Sequence, residues 1–391
     1  MRILYVVSRP LEINTSASIR NKATIEGLLE LGHTVDIITT QYDTNHSNYD
    51  SSLSNEKVNV KYIQLGGVQN LARMGRRLKF LKPIKNLGYQ VLSRMEIYDN
   101  LKTIVNHVNK MEIKDGMYDI VISSSDPKSS HLFVSELFRN KVLSNTPWIQ
   151  IWGDPFLSDI TRKNRLMGSR VKKEEDRLLK QADRVVYVSN LTLKSQQETY
   201  SHYKEKMIYA PIPYLKKEIY PQPINRGDTL TLLYCGDYST NVRDIREIYR
   251  AVKSTNHNLI ICGQSDIKLE PTERIKIYPR VSYSKIKELE AESDVLVHLS
   301  NLKGTQIPGK IYQYSGTNKP ILFILDGKSD ILLQTFSGYG RYVFTKNNEI
   351  DISNAITNIK NGKYEDCNFV VEEFSPRLIA NRIIEESKLF V

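Results

Sequence analysis

The residues best suited to chemistry fall in four short polar segments, each following an apolar run. One reads Gly304-Thr305-Gln306-Ile307-Pro308-Gly309-Lys310-Ile311-Tyr312-Gln313-Tyr314. Pro308 suits the first turn of a helix, and Gly309 leaves room for a phosphate at that helix's N-terminus. Lys310 adds compensating charge, while Thr305 and Gln313 stand where they can bond the hydroxyls of a ribose or sugar. A helix that merely caps itself would show the same proline and glycine. A second segment, Cys235-Gly236-Asp237-Tyr238-Ser239-Thr240-Asn241-Val242-Arg243, joins a strand to a helix. Gly236 permits a tight turn beside a ligand, the helix start offers unpaired N–H groups to an anion, and Arg243 can fork onto a phosphate. An ordinary βα turn with a solvated arginine is the plainer alternative. In Ser123-Ser124-Ser125-Asp126-Pro127-Lys128-Ser129-Ser130-His131, the polar cluster suits a binding loop. His131 there is either a general acid/base or hydrogen-bond donor to a sugar, or a cap or surface residue. Last, Trp148-Ile149-Gln150-Ile151-Trp152-Gly153-Asp154-Pro155-Phe156 sets Asp154 beside two large aromatics. Carbohydrate sites combine ring faces and carboxylates in this way; two core tryptophans and a turn before Pro155 would read the same.

The elements around these segments alternate. A strand over 2–7, a helix over 18–31 stopped by Gly32 and a strand over 33–39 form a βαβ unit. Strands follow near 58–65, 118–123, 147–151 and 184–188, with helices near 100–110, 130–139 and 173–181. The stretch 209–228, with Pro211, Pro213, Pro221 and Pro223, excludes regular structure and reads as a linker. The pattern then restarts: strands at 230–234, 258–262, 275–278, 294–299, 320–325 and 341–345 alternate with helices at 242–252, 284–292, 308–315, 329–334 and 350–360. A last amphipathic helix covers 375–388. The predicted fold is therefore α/β: two Rossmann-like, doubly wound parallel-sheet domains facing across a cleft. Their expected bounds are 1–212 and 213–374, with 375–391 a helix returning to the first domain.

Composition agrees with this size. A chain of 391 residues, 40% hydrophobic and 25% charged, is neither disordered nor collagen-like. It also exceeds the roughly 250–300 residues at which one core stops growing. Three widely spaced cysteines show no metal-ligand spacing and suit a reduced, cytoplasmic setting. The first apolar run is too short for a signal peptide. No stretch approaches the roughly 20 residues that span a bilayer. The net charge of +11 is uneven: nine Lys or Arg and no acid lie between Lys57 and Arg94. Within 71–85, Leu71, Met74, Leu78 and Leu81 recur at helical spacing among cations. Such a segment can lie on an anionic membrane surface, or be a solvated helix packed on its own domain. A second basic run, 162–173, is followed at once by Glu174, Glu175 and Asp176. Nucleic acid is not the expected partner, because the cations lack interleaved aromatics and any reading motif.

Taken in order, the segments resemble the retaining glycosyltransferases of family 4, whose two-domain architecture is called GT-B. Gly32-His33-Thr34-Val35 resembles the family's opening Gly-His-x-Val, and Val121 to Ser125, Pro147-Trp148 and Gly153-Asp154-Pro155-Phe156 resemble its first-domain pattern. Glu175-Asp176-Arg177 with Ala182 to Ser189 is similar to a further family segment. The most specific match is Ile307 to Tyr314, followed by Lys319-Pro320-Ile321. The resemblance implies a nucleotide sugar, UDP- or GDP-linked, in the second domain, with no cofactor and no metal. It implies an acceptor in the first domain and hexosyl transfer with retention; the basic character of that domain points to a surface-polysaccharide or lipid-linked glycan as the acceptor. Gly236, Tyr238, Arg243, Thr305, Pro308, Gly309, Lys310 and Gln313 would hold the donor; His131, Asp154 and Lys310 would serve catalysis. The implied location is cytoplasmic, peripheral on the inner face of the plasma membrane. Two departures stand out. Thr305 and Gln313 occupy positions where many members carry glutamates, and Tyr238 lies where many place an arginine. An amide can still bond a ribose, but Thr305 cannot supply a charge. A non-catalytic GT-B partner subunit therefore stays open; a sugar-nucleotide epimerase would call for more acidic and histidine residues in the cleft.

Overall fold

A computed structural model describes residues 1–65, 96–160, 167–221 and 228–385. The basic segment 71–85 and part of the run 162–173 lie outside the described residues. The first domain runs β1 (Arg2–Val6), α1 (Ser16–Glu30), β2 (Thr34–Thr40), β3 (Asn59–Ile63), β4 (Ile120–Ser124), α2 (Ser129–Arg139), β5 (Trp148–Trp152), α3 (Gly168–Gln181), β6 (Arg184–Tyr187), α4 (Asn190–Thr199) and β7 (Met207–Tyr209). Its seven strands are parallel, in the order β3-β2-β1-β4-β5-β6-β7. Strands β4, β5 and β6 are buried along their whole length, as a sheet covered on both faces requires.

The second domain runs β8 (Thr231–Cys235), α5 (Arg246–Lys253), β9 (Asn258–Cys262), β10 (Ile275–Tyr278), α6 (Tyr283–Glu292), β11 (Val295–Leu299), α7 (Lys310–Ser315), β12 (Ile321–Leu325), α8 (Ser329–Ser337), β13 (Val343–Lys346) and α9 (Glu349–Lys360). Its six parallel strands lie in the order β10-β9-β8-β11-β12-β13. Winding direction reverses between β1 and β4 in one sheet and between β8 and β11 in the other. A crevice opens at such a switch point, beyond the carboxyl ends of the strands. The architecture is the predicted pair of doubly wound domains.

A closing helix, α10 (Pro376–Glu385), packs against α1 of the first domain. Gly27 permits that approach, because a Cβ there would collide with the Pro376 carbonyl and lie 2.9 Å from the Ala380 Cβ. Ile379, Ile383 and Ile384 are buried in the contact, each contributing about 1.5–3 kcal/mol. A single apolar cluster continues from Ile25 and Leu28 of α1 through α10 to Phe374, Tyr312 and Phe323 of the second domain.

Three local departures from the sequence pattern have clear causes. The helix expected from 242 starts at Arg246, because Ser239 and Arg243 exchange backbone hydrogen bonds of 2.9 and 3.0 Å and the chain reverses first. Segment 100–110 winds as 3-10 turns, its start capped by the Asp99 carboxylate. The first sheet gains a short last strand, β7, which pairs with β6 through Met207 to Tyr209, immediately before the prolines.

Candidate active site between the two sheets

A cavity of about 660 Å³ lies beyond the carboxyl ends of β1, β8 and β9. Its second-domain wall holds Cys235, Gly236, Arg243, Pro308, Gly309, Lys310 and Gln313. Its first-domain wall holds Arg9, Asn14, Thr15, Ser16, His46 and Asp154. Residues nearly 300 positions apart in sequence thus share one chamber. Two bridges close its rims. The Asp50 carboxylate accepts the backbone N–H of Tyr283 at the start of α6 (2.7 Å) and the Asn14 amide (3.3 Å). On another side the Thr305 carbonyl accepts Ser189 Oγ (2.7 Å) and Thr192 Oγ1 (3.2 Å) at the start of α4.

The second-domain wall is cationic. Arg243 places Nη1 3.4 Å from where a Cβ on Gly236 would stand, and its buried Nε has no hydrogen-bond partner among the described residues. Lys310 lies over the Tyr314 ring, 5.7 Å from its centroid. Neither cation forms an ion pair among the described residues. Asp237, by contrast, is neutralised by Arg280 and accepts the Gln264 N–H at 3.0 Å. The backbone does not complete an anion cradle here: Gly236 N–H donates to the Cys262 carbonyl (2.8 Å) and Tyr238 N–H to the Gln264 carbonyl (3.1 Å). Charge on this wall therefore comes from side chains.

Several donor-wall candidates do something other than face the cavity. Tyr238 is buried, packs edge-on against Tyr234 at 6.1 Å, and has its phenol pushed up by that burial. Besides its bonded carbonyl, Thr305 accepts from Thr192 Oγ1 through its own Oγ1 at 3.0 Å, so it straps its loop to α4. Gln313 borders the cavity, yet both ends of its amide are engaged. Oε1 accepts Leu215 N–H (2.9 Å) and Nε2 donates to the Pro213 carbonyl (3.0 Å), clamping the interdomain linker. At Gly309 a Cβ would stand 2.7 Å from Ser16 Oγ and 3.4 Å from Ile212 Cδ1. A side chain there would displace the Ser16 hydroxyl, so the glycine eases the approach of the two domains. Pro308 lines the cavity one residue further out, and α7 itself starts at Lys310.

On the first-domain wall, Asp154 reaches the cavity and His131 does not. His131 is fully buried with its ring 4.3 Å from that of Trp152. Trp148 Nε1 donates to Ser123 Oγ (2.8 Å), and that hydroxyl also hydrogen-bonds His131 Nδ1 at 2.7 Å. Burial first, then the charges of Lys128 and Arg20, hold its pKa well below the usual histidine range, so the ring is neutral. Asp154 sits with Asp126 and Asp159 in a group whose carboxylate oxygens lie within 4.8 Å of one another. Lys128 supplies the positive charge inside that group, pairing with Asp126 and, at 3.1 Å, with Asp159. Burial, and next the Asp126 carboxylate, push Asp154 up to about 8. Raised in this way, it holds a proton to higher pH than an ordinary carboxylate and shares it with Asp126.

Several cavity residues went unnoticed in the sequence, Arg9, His46 and Gly263 among them. Arg9 follows β1 as part of Ser8-Arg9-Pro10, a turn with no distinctive spacing. Gly263 has a legible signal: it directly follows Cys262, which is paired in register with Cys235, so two glycines end adjacent strands. A Cβ on Gly263 would run into the Gly236 carbonyl.

The chain matches no family profile and no curated protein. Its fold has many solved counterparts. A glycosyltransferase from Rickettsia africae superposes with a TM-score of 0.57 at 15% identity, over 99% of this chain and 98% of the other. TarM from S. aureus, in complex with fondaparinux, alpha-GlcNAc-glycerol and UDP, gives 0.59 at 10% identity over 98% of both chains. A putative UDP-N-acetylglucosamine 2-epimerase from Listeria monocytogenes gives 0.52 at 12%, over 100% and 96%. At such identities the likeness concerns the fold, and the fold is GT-B: two Rossmann-like domains with a cleft between them.

Proposed function

We propose that this chain is a retaining glycosyltransferase, moving a sugar from a UDP- or GDP-sugar to a surface-polysaccharide or lipid-linked glycan acceptor. One observation carries the reading: Arg243 and Lys310, without ion-pair partners among the described residues, face a chamber of about 660 Å³ at the switch point of a doubly wound sheet. Such a wall suits a diphosphate, and the UDP present in the TarM complex is consistent with it. Residues 213–374 would form the donor side and 1–212 the acceptor side, with 375–391 bracing the second against the first.

In the proposed reaction an acceptor hydroxyl attacks the anomeric carbon from the face the diphosphate leaves. The carbon–oxygen bond to phosphate breaks, and the departing phosphate oxygen takes the hydroxyl's proton. Arg243 and Lys310 stabilise the charge that develops on the leaving group. Protonated Asp154 donates to a sugar hydroxyl and fixes the ring's position. His131, sealed beside Trp152, supports that wall from behind, so its proposed contribution is positioning rather than proton transfer.

No helix among the described residues is long and apolar enough to cross a membrane. The proposed setting is the cytoplasm, peripheral on the inner face of the plasma membrane through 71–85. Loss of liposome sedimentation on replacing Arg76, Arg77 and Lys79 would support it; unchanged sedimentation would refute it. The transfer itself is tested by incubating the protein with UDP- and GDP-sugars and membrane extract while measuring nucleoside diphosphate release. No release with any donor refutes it.

A second reading, a non-catalytic GT-B subunit, is favoured by the commitment of Thr305 and Gln313 to protein partners. It predicts nucleotide binding or partner capture without turnover. An epimerase would convert a donor with no acceptor present.

A further inference from the structure

The charges around the cavity do not balance, and the imbalance sits on the wall opposite the donor. Six formally charged side chains line it: Arg9, Asp154, Asp237, Arg243, Arg280 and Lys310. Asp237 and Arg280 neutralise each other. Arg243 and Lys310 together match the two negative charges of a nucleoside diphosphate sugar, one on each phosphate. Arg9 then remains. It belongs to the first domain, following β1, and forms no ion pair or hydrogen bond among the described residues. Asp154 on the same wall is grouped with Asp126 and Asp159 around Lys128, and none of the four pairs with Arg9 among the described residues.

The same first-domain wall also carries hydrogen-bonding groups, His46 among them. His46 Nδ1 accepts the Asn48 N–H at 3.0 Å, so in its neutral form its proton is on Nε2, a donor. A guanidinium without a partner among the described residues, on the same cavity wall as such a donor, is suited to an oxyanion, which it can grip through two parallel N–H bonds.

From this juxtaposition we infer that Arg9 and His46 form a subsite for an acidic acceptor, one carrying a phosphate or carboxylate on or next to the sugar that receives the transferred residue. The inference rests on the donor reading above and deepens it by naming the acceptor's charge. Phosphate and carboxylate share the chemistry Arg9 would recognise, and the experiment separates them.

The full-length protein is first titrated with UDP and GDP by calorimetry. With the bound nucleotide saturating, it is then titrated with glucose, glucuronate and glucose 1-phosphate. One acidic sugar should bind roughly tenfold or more tightly than glucose, the size of one charge-assisted hydrogen-bonded contact. The better of the two acids identifies the group. Arg9→Ala should abolish the preference, and Arg9→Lys should restore part of it. Nucleotide affinity in Arg9→Ala should stay within about twofold of wild type. Its melting temperature should be unchanged, since Arg9 has no partner to lose. Equal binding of neutral and acidic sugars would overturn the acceptor subsite alone. A loss of nucleotide affinity in Arg9→Ala as large as in Arg243→Ala would also overturn it, placing Arg9 with the donor. If wild type binds neither nucleotide, the donor reading fails and the subsite falls with it.

Discussion

Gln313 offers a sharp test, because sequence and structure assign it different work. By resemblance its amide should meet a ribose; in the structure it clamps Pro213 and Leu215 of the linker at 3.0 and 2.9 Å, and the side chain is buried. Gln313→Glu keeps the shape but replaces a donor with an oxygen facing the Pro213 carbonyl. Losing the donated bond costs about 1 kcal/mol, and leaving two buried acceptors opposed adds about 1–3 kcal/mol. The sum, about 2–4 kcal/mol, corresponds to a fall of roughly 5–10 °C in melting temperature for a domain of this size. The penalty should depend on pH. The unfolded glutamate titrates near about 4.3, while burial against a carbonyl raises it in the folded state. A raised carboxyl protonates as pH falls through its folded pKa, and the protonated acid can again donate to Pro213. The deficit should therefore be full at pH 8 and shrink toward pH 5, in melts run side by side with wild type. UDP affinity should not improve. A variant that melts with wild type at pH 8 and binds UDP more tightly would refute the clamp and return Gln313 to the ribose.

Gly27→Ala should destabilise by about 3 kcal/mol or more, since its methyl meets the backbone of Pro376 and that neighbour cannot rotate away; faster proteolytic loss of the C-terminal helix would report it. Gly309→Ala should cost about 1–3 kcal/mol by pressing on Ser16 Oγ, with partial recovery in Gly309→Ala/Ser16→Ala. Failure of that rescue in denaturant melts would argue that another contact needs the glycine. Asp154, raised to about 8, is protonated in the folded protein where it is ionised in the unfolded chain. Its stabilisation is full below the unfolded value of about 3.9 and is lost as pH rises through about 8. Urea melts should show Asp154→Asn losing less stability than wild type between pH 5 and 9, and parallel profiles would count against the raised pKa.

The sheets were legible because each short apolar run is bounded by polar turns, as in Tyr118 to Ser125, and because Pro211 to Pro223 interrupt the alternation once. Strand ends could be placed within a residue or two, which is enough to find the cavity-lining Gly236, Arg243, Lys310 and Asp154. What stayed hidden depends on contacts between distant parts of the chain. Nothing near Gln313 announces that Pro213 and Leu215 lie against it. Nothing near Thr305 announces Ser189 and Thr192, and His131 opens α2 just after a loop as polar as a binding loop yet packs against Trp152. Glycine types carried a similar ambiguity. Gly309 was read as room for a phosphate; it lines the cavity, and its missing side chain also leaves room for Ser16 of the other domain. The late start of α5 reflects backbone pairing between Ser239 and Arg243, which residue types alone do not encode.

The central claim is that the two unpaired cations opposite the first domain receive a nucleoside diphosphate. Calorimetric titration of wild type, Arg243→Ala and Lys310→Ala with UDP and with GDP tests it most directly. The account predicts that one nucleotide binds wild type and that each substitution weakens it about 10- to 100-fold, the scale of one charge-assisted contact, with melting temperatures unchanged. Binding of neither nucleotide, or equal affinity in all three proteins, would contradict it.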